Sequence, residues 1–393
     1  MEQCIINLKP GKTHAVEKGN PWIYSDEIEN FSGTYTNGDI VEVRNGKGWS
    51  IGKGFINDKS KIAIRMMTRD PEEAVDDELI RRRLKTASDY RRDVMGAETS
   101  YRLIYGESDF LPGLTVDKYG EYYVIQSLAL GIDRFKDAVV RILVEDYEAK
   151  GIIERSDVKV RELEGMAMTK GFLTEPFDPI ITITENGVDY RVDLLNGQKT
   201  GFFLDQKENR RAIHRLVKNR SVLDCFTHTG SFALNAGLAG ASSVLGIDVS
   251  ADAVALAKEN AELNGLSDRV QFEAHNAFDV LTAWSKEGRQ FDVVILDPPA
   301  FTKSKGAIAG AVRGYREINL RGIKMVAPGG YLATCSCSHF MKEDLLRRTI
   351  VEAANSVGRT LRQVEFRTQS ADHPILMTSD ETYYLKFYIF QVL

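Results

Sequence analysis

The segment 221-SVLDCFTHTGS-231 has the pattern of a short buried strand that ends in an acidic residue and turns through a glycine. Further apolar strands are predicted at 243–250, 270–275, 291–297 and 329–336. A helix is predicted from about residue 231, after the strand at 221–226, and a second over 251–265, after the strand at 243–250. Strands that alternate with helices form a parallel sheet with helices on both faces. The chain from about residue 189 therefore predicts an α/β domain whose ligands bind at the carboxyl ends of the strands.

The residues before this domain have two other patterns. Residues 1–72 are rich in glycine and alternate apolar with polar residues, and Asn45-Gly46 predicts a two-residue hairpin turn, so we expect a small β-barrel. Residues 73–188 combine predicted helices with strands, including two strands that turn at Asn186-Gly187. We therefore predict three domains, with boundaries 1–72, 73–188 and 189–393.

Composition limits the cellular setting and the partners. The net charge of −5 gives no general affinity for nucleic acid, but 81–92 and 207–220 each hold six Lys or Arg residues. Either stretch could form a basic patch, although charge alone favours an ordinary solvated helix face. No apolar run is long enough for a membrane span, and the first residues lack a signal-peptide pattern, so we expect a cytoplasmic protein with reduced cysteines and no membrane partner.

The predicted strand ends carry polar side chains that suit a nucleoside ligand. Asp248 ends the second strand, where a carboxylate can accept hydrogen bonds from ribose hydroxyls. The alternative is that Asp248 is the N-cap of the next helix, a role that Ser250 could take instead. Asn276 follows the third strand and could accept from an adenine amino group or be an ordinary turn residue. Asp297 precedes two prolines, which hold the backbone extended and present its carboxylate rigidly. The chain lacks GxGxxG, which disfavours a nicotinamide cofactor.

Two of the four cysteines, Cys335 and Cys337, fall at the end of the fifth predicted strand. They could be small core residues, half of a metal site, or a nucleophile with a neighbour. A zinc site would need a second ligand pair, and the sequence has no CxxC and no second CxC, so we expect no metal.

Six stretches together resemble the RlmI-like family of class I S-adenosylmethionine-dependent methyltransferases, which methylate carbon 5 of a cytosine in 23S rRNA. They are 105-YGESDFLPGLTVDKYG-120, 154-ERSDVKVRELEGM-166, 198-QKTGFFLDQKENR-210, 224-DCFTHTGSFA-233, 297-DPPAFTKSK-305 and 335-CSCS-338. The resemblance covers nearly the whole chain. It implies an N-terminal RNA-binding PUA-like β-barrel, a middle α+β domain and a C-terminal Rossmann-like methyltransferase domain.

The resemblance also implies roles for individual residues. Cys337 matches the nucleophile and Asp297 the acid that grips the base. Asn276 departs from the commoner aspartate of the family, although both side chains can accept from an adenine amino group. The residues implied to bind S-adenosyl-L-methionine are Phe202, Phe203, Asp224, Thr227, Thr229, Gly230, Asp248, Asn276, Ala277 and Asp297.

Carbon 5 of cytosine is a poor nucleophile, which explains the need for a thiolate. Attack of the thiolate on carbon 6 makes carbon 5 enamine-like, so that it can accept a methyl group. Many cytosine-5 enzymes of the wider RNA group carry a second cysteine where this chain has Ala300. Two alternatives therefore stay open: an enzyme that methylates exocyclic amino groups of purines in RNA, and a catalytically silent RNA-binding assembly factor.

The expected partner is 23S rRNA, naked or in a partly assembled large subunit, because RNA in a finished subunit is hard to reach. The target cytosine has to leave its stack for carbon 6 to be attacked. A homodimer is a further expectation, and the base that removes the carbon 5 proton is left open, with His339 as a candidate.

Overall fold

The computed structural model describes residues 4–302 and 304–393. The chain divides into two compact units. The first comprises the residues up to Ile183, Val192–Leu204 and Ala371–Thr382, and the second comprises Thr184–Arg191, Asp205–Ser370 and Tyr383–Leu393. The predicted three-domain boundaries at 72 and 188 stay a prediction.

The first unit begins with a six-stranded sheet in the order β2-β6-β5-β4-β1-β3. Its elements are β1 (Ile5–Leu8), α1 (His14–Glu17), β2 (Trp22–Tyr24), β3 (Ile28–Ser32), β4 (Ile40–Arg44), β5 (Ser50–Ile56) and β6 (Ile62–Thr68). Alternate residues of these strands form one apolar core. The predicted two-residue turn at Asn45-Gly46 is wrong: the loop extends from Asn45 to Trp49, and Gly48 rather than Gly46 has the positive φ. The Asn45 side chain accepts from the backbone N–H groups of Lys47 and Trp49, which stabilises this longer loop.

The rest of the first unit is built on a five-stranded sheet in the order β11-β10-β9-β8-β7. Its elements are α2 (Asp77–Met95), β7 (Ser100–Tyr105), β8 (Leu114–Tyr119), β9 (Tyr122–Ser127), α3 (Leu130–Asp133), α4 (Lys136–Tyr147), β10 (Gly151–Ser156), α5 (Val160–Leu163) and β11 (Thr169–Phe172). Asp76 is the N-cap of helix α2, and its carboxylate accepts from Leu79 N at 3.0 Å.

A separate hairpin follows, formed by β12 (Ile180–Glu185) and β13 (Val188–Asp193). Asn186 and Gly187 both have positive φ, as a two-residue hairpin turn requires, so the prediction for this turn is confirmed.

The second unit contains a seven-stranded sheet in the order β16-β15-β14-β17-β18-β20-β19. Its strands are β14 (Ser221–Cys225), β15 (Ser243–Asp248), β16 (Val270–Ala274), β17 (Phe291–Leu296), β18 (Val326–Ser336), β19 (Leu361–Arg367) and β20 (Lys386–Val392). Its helices are α6 (Lys207–Ala212), α7 (His214–Val217), α8 (Ser231–Leu238), α9 (Ala251–Leu263), α10 (Ala277–Lys286), α11 (Ile308–Met325) and α12 (Glu343–Asn355). The first five strands of the order are parallel, and β20 is antiparallel to both of its neighbours.

The strand order places the site. The chain goes from β14 outward to β15 and β16, and then returns to the other side of β14 with β17 and β18. Between β14 and β17 the direction of winding reverses, and ligands of such sheets bind at the carboxyl ends there. The five predicted strands and the α/β class are therefore confirmed. Among the described residues, no helix is both long and apolar enough to cross a membrane.

Candidate active site

The carboxyl ends of the parallel strands bring the predicted polar residues of the second unit to one edge of the sheet. Asp224 is the last residue but one of β14, Asp248 ends β15, and Asp297 follows β17. Cys335 lies in β18 and Cys337 comes just after it. Because adjacent parallel strands end together, these side chains converge on one cleft at the switch between β14 and β17.

Asp224 is a fully buried carboxyl group at this edge. Its Oδ2 accepts from Thr227 Oγ1 at 2.5 Å and from Ala233 N at 3.0 Å, whereas its Oδ1 has no hydrogen-bond partner among the described residues. Burial raises the pKa of Asp224 to about 7, and the nearby carboxylates of Asp297 and Asp248 act in the same direction. A buried acceptor without a partner is what a polar or cationic ligand would satisfy.

The loop after β14 is tightly packed at its last residue, Gly230. Gly230 has a φ of +88°, and a Cβ there would lie 2.7 Å from Cζ of Phe272. Thr227 N donates to Ile247 O at 3.0 Å, and Thr229 O accepts from Asn260 at 3.2 Å, so the loop is fixed to β15 and α9. A fixed loop with a glycine in a left-handed conformation lets backbone approach a cofactor closely.

Asp248 and Asn276 have local roles in the structure. Asp248 is half-buried and accepts from His228 N at 2.9 Å and from Ser250 N at 3.0 Å. The helix α9 is capped by Ser250, which accepts from Ala253 N, so the Asp248 carboxylate is not required as the cap. Asn276 is exposed, and its oxygen accepts from Phe278 N at 2.9 Å as the N-cap of α10, which begins at the buried Ala277. The ribose and adenine roles of these residues stay predictions.

Phe202 and Phe203 belong to the first unit. Phe202 is buried, and its backbone N donates to Tyr119 OH at 3.3 Å. Lys199 Nζ lies 4.3 Å from the centre of the Phe203 ring. Their predicted part in cofactor binding stays a prediction.

Asp297 is held by two donors that sequence reasoning did not connect. The Cys335 thiol donates to Asp297 Oδ1 at 2.7 Å, and Gln206 Nε2 donates to the same oxygen at 3.1 Å. Gln206 also donates to Cys335 Sγ at 3.4 Å, which closes a three-residue network. Gln206 was missed because 91 residues separate it from Asp297 and no local pattern singles it out. The network fixes the direction of the Asp297 carboxylate.

The two cysteines differ in their surroundings. Cys335 is fully buried, and burial raises the pKa of its thiol well above the usual value, with Asp297 adding to the effect. Cys337 is half-buried, and its Sγ lies 4.0 Å from the carbonyl oxygen of Pro298. A reactive thiol needs some exposure, and of these two cysteines only Cys337 is partly exposed. Cys225 is buried in the sheet, where burial raises the pKa of its thiol as well.

A buried lysine lies behind these cysteines. Lys386 opens β20 opposite Ser336, and its Nζ donates to Ser338 O at 2.8 Å and to Tyr384 O at 2.7 Å. Burial lowers the pKa of Lys386 to about 8, and the charge of Cys337 acts in the opposite direction, towards retaining the proton. The available signal was a single lysine inside the apolar run 385-LKFYIFQV-392.

Val249 and His339 are two further residues at this edge of the sheet. Val249, directly after Asp248, is an aliphatic residue that is 76% exposed and that the sequence pattern did not single out. His339 is half-buried, and its Nδ1 lies 3.3 Å from Tyr383 O, which gives no independent sign of a proton-accepting role. No group of three or more His, Cys, Asp or Glu side chains that could hold a metal occurs within residues 4–302 and 304–393.

The second basic stretch is only partly exposed, because two of its six cations are buried. Arg210 is fully buried and pairs with Glu185 through hydrogen bonds of 2.6 and 2.8 Å, and Lys207 is buried as well. Of the two basic stretches, 207–220 is thus partly internal, and the solvated-face interpretation is wrong for these two residues.

Comparison with known proteins agrees with the site. Residues 167–379 match the model of S-adenosylmethionine-dependent methyltransferases, and residues 6–69 match that of PUA-like domains. A solved structure from Streptococcus mutans, described as a SAM-dependent methyltransferase, has a TM-score of 0.83 at 19% identity and covers 98% of this chain and 99% of its own. A methyltransferase solved with SAH has a TM-score of 0.85 at 19% identity and covers both chains fully. The protein is thus a class I methyltransferase that uses S-adenosyl-L-methionine and carries a PUA-like domain.

A curated relative shows which family of methyltransferases the chain belongs to. The ribosomal RNA large subunit methyltransferase I of Shewanella denitrificans is 42% identical over 387 residues, which is 97% of each chain. The chain belongs to the ribosomal RNA large subunit methyltransferase I family. The buried Asp224 oxygen, the glycine loop at Gly230 and the carboxylate of Asp248 suit a nucleoside cofactor with a cationic end, and they would hold it at this edge.

Proposed function

We propose that this protein methylates carbon 5 of a cytosine in large-subunit rRNA through a covalent bond to Cys337. The observation that carries the proposal is the contrast between the two cysteines. Cys335 is sealed in the sheet and used as a donor to Asp297, whereas Cys337 is partly exposed at the same edge. Relatives named ribosomal RNA large subunit methyltransferase I support the choice of rRNA as substrate.

The chemistry assigns one task to each group. S-adenosylmethionine supplies an electrophilic methyl group. The Cys337 thiolate adds to carbon 6 of the cytosine, and the electron pair displaced from the carbon 5–carbon 6 bond makes carbon 5 nucleophilic. After carbon 5 is methylated it loses its proton to a base, the carbon 5–carbon 6 double bond forms again and the thiolate leaves. Asp297, whose carboxylate accepts from Cys335 and Gln206, would hydrogen-bond the amino edge of the ring.

The surroundings of Cys337 support its thiolate form. The ammonium group of Lys386 is buried near Cys337, and attraction between the two groups raises the pKa of Lys386. A cation beside a cysteine favours the thiolate, which is the nucleophilic form. Ser336 donates to Tyr315 OH at 2.8 Å, and the Tyr315 hydroxyl pairs with the Ser338 hydroxyl at 3.0 Å, so the backbone around Cys337 is held in place.

The rival, methylation of a purine amino group, draws support from the sequence Asp297-Pro298-Pro299 followed by an aromatic residue two positions later. In the structure the partly buried Phe301 packs on Tyr315 with ring centres 4.6 Å apart, and it packs against the core beside Phe278. A ring engaged in the core is less available to stack on a flat base. This packing favours the cytosine mechanism over the rival.

The RNA is proposed to be naked or partly assembled, since a target base must leave its stack to meet Cys337. The PUA-like domain supports RNA binding. A homodimer and a cytoplasmic location stay predictions.

The test is transfer of labelled methyl from S-adenosylmethionine to unmodified large-subunit rRNA, with the product nucleoside identified by mass spectrometry. We expect 5-methylcytidine from the wild type, none from Cys337→Ala, and a reduced but measurable amount from Cys335→Ala. RNA containing 5-fluorocytidine should form a stable covalent complex with the wild type, because the fluorine on carbon 5 cannot leave as a proton does. The matched control is Cys225→Ala, a buried cysteine outside the network.

Three results would overturn the proposal. A methylated purine as the product would establish the rival reaction. Full activity of Cys337→Ala would show that no covalent adduct at this residue is needed. Tight binding of S-adenosylmethionine without transfer to any RNA would instead support an assembly factor.

A further inference from the structure

A pocket of about 360 Å³ opens on the first unit, between helix α2 and the turn that follows β7. Its wall includes Arg82, Arg83, Tyr90, Phe110 and Pro374, and its surface is mostly apolar. The volume is at the small end of the range for ligand sites, which suits one planar heterocycle better than a folded peptide. The methyltransferase site in the second unit does not include these residues.

Phe110 is an exposed aromatic residue in a strained conformation. Its φ is +58°, and its side chain is 58% exposed. Non-glycine residues rarely adopt this left-handed conformation, and an outlier that is held in place points to a function. Burial does little to stabilise the ring of Phe110, and the backbone conformation of this residue is unfavourable. The combination is consistent with a ring that is exposed in order to contact a ligand.

Two arginines donate hydrogen bonds to the turn that carries Phe110. Arg83 donates to the Phe110 carbonyl oxygen, and burial lowers the pKa of Arg83 to about 10. The fully buried Arg91 donates to Asp109 Oδ2 at 2.8 Å, and the same oxygen accepts from Tyr105 N at 2.6 Å. Phe110 is thus presented by a rigid turn rather than by a loose loop.

Tyr90 supplies a second aromatic wall. Its hydroxyl donates to Ala371 O at 3.0 Å, which fixes the ring, and the Arg91 guanidinium lies 5.2 Å from the ring centre. Aromatic rings that line one small pocket next to arginines are the usual means of binding unpaired bases, because every base can stack and its phosphate can meet a cation.

The charge at the rim fits a phosphate backbone. On the helix surface Arg82, Lys85 and Arg92 are exposed, and their ion-pair partners are Glu73 and Asp89, which are partly exposed as well. Exposed pairs of this kind contribute little, so these cations can turn to phosphate groups at small cost. The sequence hypothesis of a basic patch at 81–92 therefore gains a specific form: cations beside an aromatic pocket.

We propose that this pocket binds an unpaired nucleobase of the RNA substrate, stacked on Phe110 and Tyr90, with the neighbouring phosphates near Arg82 and Lys85. The inference rests on the proposed function only in taking RNA as the substrate. It does not depend on which base is methylated or on Cys337.

The test compares Phe110→Leu with Phe110→Trp in the full chain. Leucine keeps an apolar side chain but removes stacking, and tryptophan keeps stacking. By fluorescence anisotropy with a labelled single-stranded fragment of large-subunit rRNA, we expect the affinity of Phe110→Leu to fall about tenfold, as loss of one stacked base predicts. Phe110→Trp should stay within about twofold of the wild type. Val144→Ala, an exposed apolar change on α4, is the control and should have no effect.

A second measurement maps the contact. RNA containing 4-thiouridine is cross-linked by light, and the modified peptide is identified by mass spectrometry; we expect the peptide that carries Phe110 or Tyr90. Unchanged RNA affinity in Phe110→Leu, with no cross-link to either residue, would overturn the proposal that the pocket binds RNA. A protein partner would then be the occupant to test. If Phe110→Leu binds RNA weakly while the wild type transfers no methyl to rRNA, the pocket stands and the proposed reaction fails.

Discussion

Replacing Asp224 by asparagine should make the second unit more stable at neutral pH. The carboxyl group is fully buried, and its pKa rises from 3.8 to about 7. In the unfolded chain this group ionises near pH 4. Between about pH 4 and 7 the folded protein therefore holds more protons than the unfolded chain, and stability falls as pH rises. A shift of about 3 pKa units corresponds to about 4 kcal/mol, all of it lost above pH 7.

Asparagine is uncharged at every pH, so this loss disappears. Its oxygen can still accept from Thr227 and Ala233, but its amide nitrogen takes the place of an oxygen that has no hydrogen-bond partner among the described residues. An unmatched donor costs about 1–3 kcal/mol, which leaves a net gain of about 1–3 kcal/mol at pH 8.

The assay is urea unfolding between pH 5 and 8, followed by the fluorescence of Trp284 in α10. Trp22 and Trp49 are replaced by phenylalanine in both proteins, so that only the second unit reports. The difference in stability between Asp224→Asn and its parent should grow as pH rises. A difference that stays constant across this range would refute the buried, uncharged state of Asp224. The variant is also expected to bind S-adenosylmethionine more weakly, which equilibrium dialysis would measure.

Three further changes have defined outcomes. Gly230→Ala puts a Cβ 2.7 Å from Phe272 in a left-handed turn, so we expect a loss of about 1–3 kcal/mol in thermal unfolding, and an undiminished melting temperature would contradict the close approach. The pKa of Lys386, lowered from 10.5 to about 8, makes stability rise with pH across that window by about 3 kcal/mol. Lys386→Met should flatten this rise in urea unfolding at pH 8 to 10.5, and an unchanged slope would contradict the lowered pKa of Lys386. Cys335→Ala removes the thiol donor to Asp297, so kcat for rRNA methylation should fall while the adduct with 5-fluorocytidine RNA still forms; loss of the adduct would make Cys335 the nucleophile.

The parallel sheet could be predicted because its signal is local. Each buried strand is a short apolar run, and each polar residue at its end, such as Asp248 or Asp297, is adjacent to that run in sequence. The convergence of these ends follows from parallel pairing alone. Family resemblance added the chemistry, since apolar patterns do not distinguish one ligand from another.

The parts that could not be predicted depend on distant pairing. The antiparallel β20 places Lys386 beside Ser336, and Gln206 reaches Asp297 from a separate helical turn. No periodicity within either segment records such a partner. At Asn45 the failure was different: the side chain accepts from two backbone N–H groups and stabilises a longer loop than the Asn-Gly pair alone predicts.

The order in which the chain visits its two units has a consequence for biosynthesis. Arg91, fully buried in the first unit, donates to the carbonyl oxygen of Asp372 at 2.8 Å, and Arg102 N donates to the Asp372 carboxylate at 2.7 Å. The segment Ala371–Thr382 leaves the ribosome only after the whole stretch Asp205–Ser370 of the second unit. During translation the first unit therefore lacks one hydrogen-bond partner of Arg91 until residues 205–370 of the second unit have been synthesised. The protein should not acquire its complete N-terminal half early in synthesis, and a fragment that stops before residue 371 should expose that half to proteases.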